Sequence, residues 1–199
     1  MYLLFFVIGL LYKLSMIRSL DLILAAIGLM VLMPLMLLVY ALGWLDTGSP
    51  LFLQKRLGKN KKPFTLIKFR SMRVDTISVP SHLADASSIT SFGRLLRTTK
   101  LDELPQLWNV LRGDMSLVGP RPCLPSHREL ILEREIRNVF NVRPGITGLA
   151  QINGIDMSTP ELLAETDAKM IGAITMNTYI SYIFLTIIGK GSGDTVKKN

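Results

Sequence analysis

The chain carries one cysteine, Cys123, and two histidines, His82 and His127. A lone cysteine excludes an intrachain disulfide framework and fits a reducing compartment. Three such residues are too few for a structural zinc site, which takes four soft or imidazole ligands. Charged residues are scarce at 19% of 199, while apolar residues make up 49%, and this excludes a disordered chain. Acids are the scarcer sign: 15 Asp+Glu against 23 Lys+Arg leave a net charge of +8. That balance points to an anionic partner, whether phospholipid, nucleic acid or a phosphorylated small molecule. The length fits one domain, but a mean hydropathy of +0.36 is high for an ordinary soluble one.

The apolar residues are concentrated at the N-terminus. Met1 to Tyr12 is uncharged, Lys13, Arg18 and Asp21 interrupt, and Leu22 to Leu45 is an uncharged run of 24 residues. No secretory signal is expected, because no positive residue precedes the first run and no small-residue cleavage site follows it. A 24-residue helix reaches ~36 Å, enough for a ~30 Å hydrocarbon core. Pro34 lies near the middle of the run, where it removes a hydrogen bond and bends the axis. Basic residues lie on both sides, with no acid between Gly48 and Arg73. Because such residues prefer the cytoplasmic face, a helix that bends at Pro34 and returns competes evenly with a kinked span.

The remainder reads as a small α/β body. Phe64 to Met72 alternates as a strand, Val74 to Ser91 reads as a flexible loop, and Gly93 to Thr98 as a short helix. Leu104, Leu107, Trp108 and Leu111 fall at helical spacing with Gly113 placed to stop the helix. Glu129 to Phe140 is a further helix. Met170 to Gly189 is uncharged for 20 residues but holds five Ser, Thr or Asn residues, leaving a second span and an interfacial helix both open.

Three stretches carry candidate chemistry. In Lys100-Leu101-Asp102-Glu103-Leu104-Pro105-Gln106, the proline suits a helix start and puts Asp102 at or near the N-cap. Capping is the plain role of such an acid. A helix start also binds phosphate, and a carboxylate beside phosphate can be a nucleophile. In Gly119-Pro120-Arg121-Pro122, two prolines stiffen a loop that presents one guanidinium, a planar fork for phosphate oxygens. In the stretch from Arg143 to Gly154, Pro144-Gly145 signals a type II turn, and Gly148 and Gly154 allow close backbone approach. Lys68 and Arg70 share one face of the expected strand, and Arg94 and Arg97 are neighbours on the short helix.

Taken together these stretches resemble the bacterial sugar transferases, the small monotopic phosphoglycosyl transferases. Lys100 to Gln106 running to Gly113-Asp114-Met115-Ser116-Leu117-Val118-Gly119-Pro120-Arg121-Pro122 is similar to the core of that family. So are Lys68-Phe69-Arg70-Ser71-Met72, Arg143 to Gly154 and Arg18-Ser19-Leu20-Asp21. The resemblance runs in order from about Arg18 to Gly193.

This resemblance implies transfer of a sugar 1-phosphate from a UDP-sugar to polyprenyl (undecaprenyl) phosphate with release of UMP, an initiating step of surface glycan synthesis, and a need for Mg²⁺. It implies Asp102 as nucleophile, through a covalent phosphosugar intermediate, and Glu103 as its partner in metal and proton handling, the pair being the metal-binding candidates. Lys68, Arg97 and Arg121 match positions that bind phosphate or support the site, and Arg143 joins them as a substrate-binding candidate. The implied fold is helix-rich α/β: a re-entrant membrane-inserted segment over residues 1–46, and a cytoplasmic, membrane-associated catalytic body over 47–199 with a short β-hairpin and interfacial helices. The implied location is the cytoplasmic face of the bacterial inner membrane. Met33 and Tyr179 depart from the family pattern, which has serine and aspartate there. A second class, a membrane-tethered basic protein gripping anionic lipid or nucleic acid without catalysis, requires Asp102 and Glu103 to be dispensable. Nucleic acid itself is not expected, since no such motif is present and aromatics are not interleaved with the basic run.

Overall fold

The computed structural model describes residues 2–76 and 85–191, with side chains of the first helix described from Ser15. That helix, α1, spans Tyr2–Thr47 and is helical through Pro34. Ser15–Thr47 is long and apolar enough to cross a membrane. Its contacts with the body repeat every three to four residues or twice that, which puts them on one stripe. Arg18 donates to the Val110 carbonyl at 2.7 Å, and Ala25 is fully buried. Gly28 sits where a Cβ would lie 3.1 Å from Leu107, and Gly43 where one would lie 3.2 Å from Pro50. Leu35 and Val39 pack with Phe69 and Leu96, and Asp46 accepts from the Thr90 hydroxyl at 2.7 Å. Both ends of the apolar run therefore touch the same body. The other face is bare: Met30, Val31, Leu37, Leu38, Trp44 and Leu45 are exposed. An apolar face of that extent marks a lipid or protein contact.

Strands β1 (Leu51–Leu57) and β2 (Pro63–Phe69) form an antiparallel hairpin, with Leu51 opposite Phe69 and Leu57 opposite Pro63. In β2 Phe64, Leu66, Lys68 and Phe69 are buried, and Lys68 shares the face of Phe64 and Leu66, which is the core side of the hairpin. The sequence reading missed β1 because its pattern is inverted: Gln54 and Arg56 are buried while Leu53 is exposed. The expected strand ends at Phe69, before Arg70. That side chain turns back to the Ser49 carbonyl at 2.8 Å and lies over the Phe52 ring, apart from Lys68. Residues 77–84 of the expected loop lie outside the described residues. At its edges Met72 bridges Ile89.

Helix α2 (Ser91–Thr99) starts at Thr90, whose hydroxyl accepts from Gly93 N. Gly93 has no alternative, since a Cβ there would meet the Ser71 carbonyl at 2.0 Å. Helix α3 (Gln106–Arg112) stops at Gly113, φ +89°, as the sequence indicated. Fully buried Asn109 joins α3 to β2, donating to the Thr65 carbonyl at 2.8 Å and accepting from Ile67 N at 3.1 Å.

Strands β3 (Ser116–Val118) and β4 (Gly145–Thr147) pair in parallel. The type II turn expected at Pro144-Gly145 is not formed: Gly145 has no positive φ and opens β4. It is needed for close approach. A Cβ on Gly145 would lie 2.0 Å from Gly119 N, and one on Gly119 2.5 Å from the Arg143 carbonyl.

Helices α4 (Arg128–Ile136), α5 (Leu149–Ile152), α6 (Pro160–Ala173) and α7 (Met176–Ile187) complete the body. The uncharged stretch from Met170 to Gly189 is not one helix. It breaks at Ile174, and Thr175 caps a new helix with a reciprocal hydrogen-bond pair to Thr178. The 12 residues of α7 reach ~18 Å, too short for a ~30 Å hydrocarbon core.

Buried Asp21 ties α1 and α7 to β3. It accepts from Leu117 N at 2.9 Å, from the Ser116 hydroxyl at 2.9 Å and from the Tyr179 hydroxyl. Burial, then the charge of Asp21, push the Tyr179 phenol far above its ordinary range, so it stays a neutral donor. Ala25, Phe64, Leu66, Val110, Met115 and Leu117 form the central core around this point.

Candidate active site

The chain from α2 to α3 turns on Lys100, a left-handed residue at φ 58°, ψ 16°. A single 3₁₀ turn, Leu101–Glu103, follows and leads into α3. Asp102 is therefore not the N-cap of α3, a position held by Pro105. It lies in the tight turn ahead of the helix, 4% exposed, because left-handed Lys100 reverses the chain two residues earlier.

Glu103, next to it, gathers two cations on one oxygen. Its Oε1 accepts from Lys68 Nζ at 3.0 Å and from Arg121 Nη2 at 3.1 Å. The Lys68 and Glu103 side chains are only 9% and 11% exposed. At such depth water screens charge weakly, so the carboxylate offsets the mutual repulsion of its two partners. Lys68, Glu103 and Arg121, with Arg56, Gln106 and Gly145, line a cavity of about 10 Å³, roughly the space of one water. Gln106 Nε2 is buried there without a hydrogen-bond partner. A donor left without a partner beside two cations is suited to an anionic oxygen.

The other basic candidates are placed differently. Arg97 donates Nε to the Ser71 hydroxyl at 2.8 Å. Arg143 donates Nε to the Gly113 carbonyl at 2.9 Å, which closes the end of α3. Arg94 is exposed on α2. Lys100 feels the cluster: burial, and secondarily Arg121, lower its pKa against an opposing pull from Glu103. Cys123 is fully buried and burial raises its thiol pKa, the mark of an inert thiol. Among the described residues no group of three His, Cys, Asp or Glu could hold a metal.

The sequence reading missed Arg56 and Gln106. Gln106 had a usable signal, since it lies one helical turn beyond Asp102 and Glu103. Arg56 had none, because its burial depends on β1 presenting its polar face inward.

The sequence pattern of the bacterial sugar transferases matches residues 12–190, and the chain belongs to that family. It is 45% identical over 144 residues to "Uncharacterized sugar transferase EpsL" of Bacillus subtilis, covering 72% of this chain and 71% of that protein. It is 43% identical over 149 residues to the "UDP-glucose:undecaprenyl-phosphate glucose-1-phosphate transferase" of Xanthomonas campestris, covering 71% of this chain and 31% of that protein. A Caulobacter vibrioides protein of the same printed name is 41% identical over 164 residues, 79% of this chain and 61% of its own length. The chain thus spans about a third of the Xanthomonas relative and under two thirds of the Caulobacter one.

Proposed function

We propose that this chain transfers a sugar 1-phosphate from a UDP-sugar to undecaprenyl phosphate and releases UMP. The observation that carries the reading is the gathering of Lys68 and Arg121 on Glu103, one residue from buried Asp102, in a chain of this family. An Asp102 carboxylate oxygen attacks the sugar-bearing phosphorus, and the bond from that phosphorus to the UMP oxygen breaks. A phosphate oxygen of undecaprenyl phosphate then attacks the same phosphorus and displaces Asp102. Lys68 and Arg121 neutralise the phosphoryl oxygens in both steps, with Gln106 as a further donor. Glu103 holds the two cations ready before substrate arrives, so little entropy is lost in orienting them.

Asp102 and Glu103 suit Mg²⁺, which is held by one or two carboxylates with water and substrate phosphate completing its shell. Bound there, the ion would neutralise diphosphate charge.

The test is UMP release from purified protein with undecaprenyl phosphate and a panel of UDP-sugars, beginning with UDP-glucose. Release that requires the acceptor is expected. A panel with no release would overturn the reading.

Arg121→Lys keeps the charge but loses the planar fork. A charge-assisted hydrogen bond is worth ~1.5–3 kcal/mol, so UMP release should fall about 10- to 100-fold at unchanged melting temperature. A silent Arg121→Lys would show that charge alone suffices.

The contacts of both Arg18 and Asp46 with one body favour a course for α1 in which both ends of the apolar run stay on the same face of the membrane. Single cysteines from Ser19→Cys and Ser49→Cys should both resist an impermeant thiol reagent in intact cells. Buried Cys123 can remain. Labelling of the first site alone from outside would instead indicate a span.

A further inference from the structure

The loop that presents Arg121 is held carbonyl by carbonyl. The Gly119 carbonyl accepts from Gln151 Nε2 at 3.3 Å and that of Pro120 from Gly145 N at 2.9 Å. The Arg121 carbonyl accepts from Arg134 Nη1 at 2.8 Å, and that of Pro122 from Arg56 Nη1 at 2.9 Å. The Cys123 carbonyl accepts from Leu57 N at 3.0 Å. Prolines fix φ at positions 120 and 122 but leave ψ free. Carbonyl directions set ψ, so these donors supply what the prolines do not.

One donor stands out by its cost. Arg134, on α4, is 2% exposed and pairs at 2.7 Å with Asp167 on α6, which is 0% exposed. Arg134 Nε and Asp167 Oδ1 have no hydrogen-bond partner. A buried ion pair with unmet polar atoms is poor value for stability, and apolar residues of similar size often serve as well or better. Nor is it needed to join α4 to its surroundings, because Leu130 and Leu163 already pack there with Cys123 and Ala150. What apolar side chains cannot supply is a donor to the Arg121 carbonyl.

We propose that Arg134 and Asp167 are a positioning pair for Arg121: Asp167 orients the Arg134 fork, and Arg134 fixes the peptide plane from which Arg121 reaches Glu103 and substrate phosphate. The inference rests on the phosphate-binding role given to Arg121 above. Neither residue touches substrate. The pair acts through Arg121, so its effects should disappear when the Arg121 fork is already gone.

The experiment replaces the pair together, Arg134→Met with Asp167→Leu, and follows UMP release and thermal melting. The melting temperature should hold or rise while kcat/KM falls about 10-fold or more, the scale of loss from a misplaced phosphate group. In an Arg121→Lys background the same replacement should change kcat/KM less than about 2-fold, since residues acting as one unit are non-additive. If the double variant melts early, Asp167→Asn, which retains the acceptor oxygen, is read by the same two criteria. Wild-type kcat/KM in a folded variant, or full additivity with Arg121→Lys, would overturn the inference. Absence of UMP release from the unaltered protein would instead count against the proposed function itself.

Discussion

Asp102→Asn should abolish UMP release, a loss on the order of 10⁴-fold or more, while the protein stays folded and in the membrane fraction. Asparagine matches aspartate in size, so packing in the tight turn after Lys100 is retained. It has no anionic oxygen to attack phosphorus. The choice of Asp102 over its neighbour follows the resemblance to the sugar transferases, and it leaves Glu103, whose Oε1 accepts from Lys68 and Arg121, to hold the cations. With UDP-sugar and no acceptor, intact mass spectrometry should find wild-type protein heavier by one sugar phosphate, and Asp102→Asn unmodified. Near-normal turnover in the variant would end the covalent mechanism. Glu103→Gln tests the division of roles. It should weaken the hold on both cations and slow turnover, yet still permit the mass adduct.

Chelation is the second large effect. Among the described residues no group of three His, Cys, Asp or Glu could hold a metal, so the Mg²⁺ proposed above would rest on Asp102 and Glu103 alone. Two carboxylates are enough for Mg²⁺ only when water and diphosphate oxygens supply the other positions. Two results are therefore expected together. EDTA should stop UMP release, with Mg²⁺ restoring it. Mg²⁺ without donor should scarcely raise the melting temperature, because binding stabilises a fold only at concentrations well above Kd. Full activity in EDTA would remove the ion from the reaction. A large shift in melting temperature with Mg²⁺ alone would reveal a site built by the protein itself.

Much of this protein was determined by local sequence. Gly113 ends α3 because glycine adopts a left-handed C-cap at no steric cost. Thr90 caps α2 by its own side chain. The apolar run formed one helix despite Gly28, Pro34 and Gly43, because strong helix formers such as Leu, Ala and Met dominate it. The acid pair and the proline-flanked Arg121 were legible because their spacing and stiffness are local properties. Tertiary structure decided the rest. Pro144-Gly145 carries an ordinary turn signal, yet β4 runs extended because its glycine must pass within backbone contact of Gly119, a residue 26 positions earlier. Gln54 and Arg56 read as a solvated strand face until the Pro122 carbonyl is placed beside Arg56. Arg134 and Asp167 look like members of exposed charged faces, and only the docking of α4 on α6 buries them. Arg143 is legible as a rigidly placed guanidinium, but that its Nε reaches the Gly113 carbonyl at the end of α3 is decided by the fold. Periodicity reports which face of an element is polar. Where a polar face is buried, its meaning depends on partners supplied from elsewhere in the chain.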